Sequence, residues 1–228
     1  MPQAGPCHAR GMDVVLRALR DAAALVVAAR CPGCDAPGSM LCDACRGALA
    51  ARPLRRTSPG GLPLYAAVPF EGVAARVIRT LKADGATSLA RPLGQALRVV
   101  IRALPPEPPL VPVPTSRAAF RRRGYRVPEL LVRRAGFDAQ RLLLPGHRIA
   151  DQRGLGRDAR ARNVHGSMRV AAGRHPPEVI VVDDVITSGA TLDEAARVLA
   201  RSGLRVIAGV ALASTPTHDG LARSVRTH

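Results

Sequence analysis

The stretch that decides the fold is Val179-Ile180-Val181-Val182-Asp183-Asp184-Val185-Ile186-Thr187-Ser188-Gly189-Ala190-Thr191. Its four leading residues are all β-branched and apolar, the pattern of a strand buried on both faces. Two adjacent carboxylates follow at the C-terminal end of that strand. In an open α/β sheet, ligands sit in the crevice beyond that end. Thr187 to Thr191, rich in hydroxyls and small residues, then opens directly into a helix. Free backbone N–H groups at a helix N-terminus bind phosphate, and Gly189 lets the backbone approach closely. Thr187, Ser188 and Thr191 add hydroxyl donors. One segment therefore sets anion donors beside paired acidic acceptors. That suits a sugar phosphate, with hydroxyls on Asp183 and Asp184 and phosphate on the loop. The G-x-x-x-x-G-K-[ST] pattern of a Walker loop is absent. The plainer alternative is a strand–turn–helix in which Asp183 or Asp184 caps the helix.

Working outward, strands and helices alternate. Leu64 to Phe70 reads as a strand, and Val73 to Ala83 and Leu89 to Leu104 as helices. Leu110 to Pro114 is a short extended segment, and Val127 to Ala135 a helix with Pro128 tolerated in its first turn. Arg141 to Leu144 and Ser167 to Ala171 read as short strands, Glu178 to Val182 as a buried strand. Ala190 to Ser202 reads as a helix and Leu204 to Ala213 as a last strand. This alternation predicts a mostly parallel sheet covered by helices on both faces. Residues 146–166, polar and rich in Gly and Arg, read as a long loop and a candidate lid. His147 and His165 within it read as solvated loop histidines.

Upstream, Met12 to Arg30 has the apolar spacing of a helix, after a tail over residues 1–10 read as disordered. Cys31, Cys34, Cys42 and Cys45 follow with C-x2-C-x7-C-x2-C spacing. Two such knuckles suit tetrahedral thiolate coordination of Zn²⁺, and four thiolates make a closed, structural site. The alternative is four reduced, unliganded thiols. Cys7, in the tail, reads as a free thiol. Ala44 to Ala51 is a short helix, and Thr57-Ser58-Pro59-Gly60-Gly61 is a linker signal. The expected organisation is an N-terminal helix and zinc module over residues 1–57, then a larger domain over 58–228.

Composition narrows the partners. The 228 residues are 47% hydrophobic, enough to bury a sizeable core without disulfides. The net charge is +17, and Lys82 is the only lysine among 34 basic residues. Such an excess favours phosphate-bearing ligands or nucleic acid. Aromatics are confined to Tyr65, Phe70, Phe120, Tyr125 and Phe137, too few for a base-stacking platform. The longest apolar run, Ala22 to Ala29, is far short of the ~20 residues of a spanning helix. The sequence reads as cytoplasmic, where grouped cysteines more often bind metal than form disulfides.

All of Val179 to Thr191 resembles the phosphoribosyl-pyrophosphate (PRPP) motif of type I phosphoribosyltransferases. The resemblance implies Asp183 and Asp184 at the ribose hydroxyls, with Thr187, Ser188, Gly189, Ala190 and Thr191 around the 5-phosphate. A four-cysteine module before such a domain resembles the ComF family of competence proteins. Four more segments resemble that family in order: Arg79 to Gly85 with Lys82, Val111 to Pro114 with Arg121-Arg122-Arg123-Gly124-Tyr125, Arg148 to Gln152 with Leu155, and Arg160 with Arg162-Asn163-Val164 and Gly166. Arg126-Val127-Pro128 stands where the family often has Asn-Gln, and Met168 replaces a usual aromatic.

The resemblance implies a type I phosphoribosyltransferase fold and PRPP binding with Mg²⁺. Lys82 joins the two aspartates as a catalytic candidate, and Arg121, Arg122, Arg123 and Arg162 are candidates for pyrophosphate or loop contacts. Each arginine also reads as a solvated surface charge, and Lys82 as a helix-end cation. Three functions compete. The first is a PRPP-dependent transferase of nucleotide metabolism or natural competence. The second is a non-catalytic PRPP- or nucleotide-binding accessory of DNA import, partnered by a helicase or channel protein. The third is non-specific single-strand DNA binding through the basic surface.

Overall fold

The computed structural model describes residues 30–146 and 166–216. The helix expected over Met12 to Arg30, except its last residue, lies outside them. So do the tail before it and Arg162, His147 and His165 of the expected loop.

The strands in chain order are β1 (Leu54–Thr57), β2 (Pro63–Pro69), β3 (Leu110–Pro112), β4 (Leu143–Pro145), β5 (Met168–Val170), β6 (Glu178–Ile186) and β7 (Arg205–Ser214). The helices are α1 (Asp43–Ala48), α2 (Gly72–Ala83), α3 (Ala90–Arg102), α4 (Arg117–Arg123), α5 (Val127–Arg134) and α6 (Ala190–Arg201). Five strands form one sheet in the order β1-β2-β7-β6-β3. All neighbours are parallel except the β1–β2 pair. The expected class, a mostly parallel α/β sheet flanked by helices with a four-cysteine module at its N-terminal side, is what the structure shows.

β6 is interior to the sheet, between β7 and β3, and Val179 to Val182 are all buried. Alternation sorts their side chains into two cores. Ile180 and Val182 pack with Val77, Ile78 and Leu81 of α2, Leu93 and Leu97 of α3, and Leu131 of α5. Val179 and Val181 pack with Leu192, Ala195 and Leu199 of α6. Fully burying each such aliphatic side chain stabilises the fold by about 1.5–3 kcal/mol. The four-residue apolar run thus fixes the layering of the whole molecule.

The cysteine module joins the first of these cores. Cys31, Leu41, Cys45 and Leu49 are buried in the same cluster as Val77 and Ile78. Arg76 on α2 donates from Nε to the Gly33 carbonyl at 2.7 Å.

Most expected elements lie within a few residues of their observed bounds. Strand β6 runs on to Ile186 because β7 accompanies it as far as Ser214. Two elements have no clear sequence signal. β1 is short and carries Arg55 and Arg56, the charged composition that edge strands tolerate. α4 buries no residue and is defined by its ends, the Ser116 hydroxyl accepting from the Ala119 N–H at 3.2 Å and Gly124 in the left-handed conformation. The Thr57–Gly61 stretch is the turn between paired strands, closed by Ser58 N–H donating to the Leu62 carbonyl at 2.9 Å. Among the described residues, no helix is long and apolar enough to cross a membrane.

Candidate functional site

Strand parity places the two acids. Ile180 and Val182 face α2, so Asp184 continues that face and Asp183 the opposite one. Asp184 accordingly meets Lys82, in the last turn of α2, with Nζ 2.8 Å from Oδ1. Asp183 accepts the backbone N–H of Asp184 at 2.7 Å. Removal from water and the neighbouring Asp184 charge push the Asp183 carboxyl up to about 7, against opposing pulls from that N–H and from Lys82. At neutral pH Asp183 is therefore poised between proton donor and acceptor.

Beyond β6, Thr187 and Ser188 are exposed, and Gly189 caps α6 with a φ of 90°. A Cβ at Gly189 would lie 3.1 Å from Leu64 Cδ1 and 3.2 Å from Ser58 Cβ. Glycine thus meets both a left-handed backbone and a close approach there. The Ser188 hydroxyl accepts the Ala190 N–H at 3.3 Å. The N–H groups of Ser188, Gly189 and Thr191 have no acceptor among the described residues. These donors stand at the start of a twelve-residue helix, where the helix dipole favours negative charge.

Four residues that the sequence did not mark as site residues, Arg56, Ser58, Gly60 and Asp193, build the wall behind this loop. The Ser58 hydroxyl donates to Asp193 Oδ1, and the Gly60 N–H donates to Oδ2 at 2.9 Å. The β1–β2 turn is thereby pinned to the first turn of α6. Arg56 donates from Nη2 to the Thr187 carbonyl. Only the β1–β2 register, which sets Arg56 opposite Leu64, gives this arginine away.

Of the arginine candidates, Arg121 and Arg122 are exposed, and their side chains make no hydrogen bond or ion pair among the described residues. Arg123 is half-buried, and its Nε has no hydrogen-bond partner among the described residues. The Tyr125 hydroxyl donates to the Leu81 carbonyl, which ties the Arg121–Tyr125 segment to the end of α2 that carries Lys82. Arg162 lies outside the described residues.

The four cysteines converge as a second site. Their Sγ atoms all lie within 4.8 Å of one another. Cys42 Sγ stands 3.7 Å from Cys31 Sγ and 3.6 Å from Cys34 Sγ. Tetrahedral Zn–S bonds of about 2.3 Å require sulfur–sulfur edges of about 3.8 Å, so the donor set fits zinc. The first knuckle turns at Asp35, whose N–H donates to the Cys31 carbonyl at 2.7 Å. Cys42 is the cap residue just before α1, and Cys45 lies in the first turn of that helix. Gly33 is required because a Cβ there would lie 2.5 Å from Cys45 Sγ. Burial pushes the Cys31 thiol up, but N–H donors, chiefly that of Cys42, outweigh it and bring it to about 6. Burial and the other three sulfurs push Cys45 up to about 12. Thiols this close resist joint ionisation until a cation joins them.

No protein-family model matches the chain, and no curated protein matches it. Among solved structures it is similar to adenine phosphoribosyltransferase from Leishmania tarentolae, at 14% identity and a TM-score of 0.36, over 59% of this chain and 62% of that one. It is similar to UMP synthase from Leishmania donovani, at 17% identity and a TM-score of 0.36, over 60% of this chain and 24% of that one. It is also similar to orotate phosphoribosyltransferase from Aeropyrum pernix, at 18% identity and a TM-score of 0.33, over 74% and 77% of the two chains. The chain thus spans less than two thirds of the length of the first two.

Proposed function

We propose that this chain is a phosphoribosyltransferase-like protein that binds PRPP with Mg²⁺ at the end of β6. One observation carries the reading: an acid pair countered by Lys82 stands beside a helix N-terminus whose loop N–H groups lack acceptors among the described residues. In this reading the ribose hydroxyls bind Asp183 and Asp184, and the 5-phosphate takes the N–H groups and hydroxyls of Thr187 to Thr191. An acceptor nucleophile attacks the anomeric carbon, and the bond to pyrophosphate breaks with both electrons leaving on oxygen. Mg²⁺ bound to the diphosphate supplies neutralisation of that leaving charge. Lys82 adds a fixed cation beside the acids, and Arg123 is the half-buried candidate for the leaving group. Cys31, Cys34, Cys42 and Cys45 hold a structural Zn²⁺.

The test is calorimetric titration of PRPP with Mg²⁺ into the zinc-loaded protein, beside the Asp183→Asn/Asp184→Asn variant. Binding by the intact protein and its loss in the variant are expected. Failure of the intact protein to bind PRPP rejects the reading. The exposed Arg121 and Arg122 of α4 favour a second one, an accessory of DNA import that binds single strands non-specifically. It requires affinity that falls steeply with added salt and no release of pyrophosphate.

A further inference from the structure

Arg56 stands against the loop with chemistry that the proposed site has not used. Its Nη2 donates to the Thr187 carbonyl, which also accepts from Thr215 Oγ1 at 3.4 Å. Its Nε and Nη1 are buried and have no hydrogen-bond partner among the described residues. No acid among the described residues forms an ion pair with it. Its pKa is lowered by burial. A guanidinium remains charged even so, since its ordinary value is above 12. A half-buried cation with two unsatisfied donors is expensive to keep unless an anion answers its charge.

The direction of the bond matters as much as the charge. Across a trans peptide, the carbonyl and the following N–H point to opposite sides. Every described peptide bond is trans. With the Thr187 carbonyl turned to Arg56 and Thr215, the Ser188 N–H is turned away from them, and it has no acceptor among the described residues. The wall cannot drift, because Ser58 and Gly60, just beyond β1, are fixed to Asp193 of α6.

We infer that Arg56 is a positioning residue of the phosphate loop, which aims the Ser188 N–H at the ligand and sets a positive charge behind it, so that the loop selects the dianion of a phosphate monoester. This rests on the reading of Thr187 to Thr191 as the phosphate cradle. The inference concerns one end of the ligand, so it separates from the roles of Asp183, Asp184 and Lys82. A phosphate monoester has a second pKa of about 6, and a cation behind the loop should lower it on binding.

The probe is ribose 5-phosphate, followed by calorimetry and by ³¹P resonance across pH 4.5 to 8. In the wild-type protein the bound phosphate should titrate below the free ligand. Arg56→Gln should weaken binding about tenfold, through loss of the positive charge behind the loop and of the bond that turns the Thr187 carbonyl, and return the bound pKa towards the free value. Arg56→Lys, which keeps the charge, should restore the low pKa. A purely structural arginine would lower stability without moving that pKa. A bound phosphate that titrates at or above the free value in the wild-type protein overturns the inference without any variant. So does an Arg56→Gln protein with unchanged affinity and pKa. If ribose 5-phosphate does not bind at all, the cradle reading falls and Arg56's role with it. If it binds, depends on Arg56, and is indifferent to Asp183→Asn/Asp184→Asn, the inference stands and the ribose reading falls.

Discussion

Lys82 Nζ lies 2.8 Å from Asp184 Oδ1 although 102 positions separate them in the chain. α2 crosses one face of the sheet and delivers the only lysine to the acid that shares that face. Both side chains are less than one third exposed, 29% for Lys82 and 15% for Asp184. Removing one partner of such a pair costs about 1–3 kcal/mol, because the other is left desolvated and alone. Lys82→Met should therefore lower stability by that amount. It should also raise the Asp183 pKa further, since Lys82 is one of the influences holding it down. The measurement is PRPP affinity against pH, whose midpoint should move up in Lys82→Met and return in Lys82→Arg. An unmoved midpoint would show that the ion pair does not govern the acids.

Asp183 gives the stability a pH dependence of definite sign. Its folded value is about 7 against an ordinary 3.8. Between those values the folded state holds a proton that the unfolded chain has released. Stability is thus full below the lower value and is lost as pH rises through the upper one. Asp183→Asn cannot ionise and should escape this loss. It should be more stable than wild type at pH 8, by an amount on the order of a few kcal/mol, and show little advantage at pH 4. Urea denaturation at the two pH values decides it, and an equal advantage at both would contradict the assignment. Binding of a ribose diol should run the other way, tightening as pH rises and the acid becomes an acceptor.

Much of this architecture was legible because it rests on periodicity. The run Val179 to Val182 could only be a strand between two layers, and its parity then carried Asp183 and Asp184 to opposite faces. The four cysteines announced their cluster by spacing alone. What stayed hidden depends on register and tertiary approach. Arg56 sits in a four-residue edge strand with no apolar pattern, so nothing local distinguishes it from the many other arginines. The Ser58–Asp193 bond joins residues 135 positions apart, and the run that contains Ser58 has the composition of a linker. Arg121 to Arg123 divide once the chain is folded. Three adjacent arginines look like one site, but helical geometry leaves Arg121 and Arg122 exposed and turns Arg123 inward.

Gly189 is closely enclosed by Leu64, Ser58 and Pro59. Its φ of 90° costs an L-residue about 1–2 kcal/mol. An added methyl would also press on Leu64 Cδ1 at 3.1 Å and Ser58 Cβ at 3.2 Å, and Ser58 is held by Asp193. Gly189→Ala should lower stability by about 2–4 kcal/mol in all, the backbone cost plus overpacking, and weaken phosphate binding. Gly47→Ala is the control: nothing lies within 4 Å of its Cβ position, inside α1. That change should be neutral or stabilise by about 0.5–1 kcal/mol. If the two variants melt alike, the close approach at Gly189 is not what the loop depends on.

Metal removal should reach the acid pair through α2. The Gly33 carbonyl accepts from Arg76, and Cys31 and Cys45 are buried against the core that α2 shares. The same helix carries Lys82 to Asp184. Without a cation, Cys45 is held up at about 12, so zinc binding must expel protons and should strengthen as pH rises from 6 to 8. One zinc per chain is expected, with a fall in Tm on chelation. Because α2 loses its anchor at the knuckle, hydrogen exchange in Gly72–Ala83 should accelerate on chelation, and PRPP affinity should fall with it. Arg76→Met separates the two halves of this chain of contacts. It should keep the zinc, since it removes no ligand, and still loosen α2. Unchanged exchange in α2 after the metal is stripped would mean that the module and the acid pair are energetically independent.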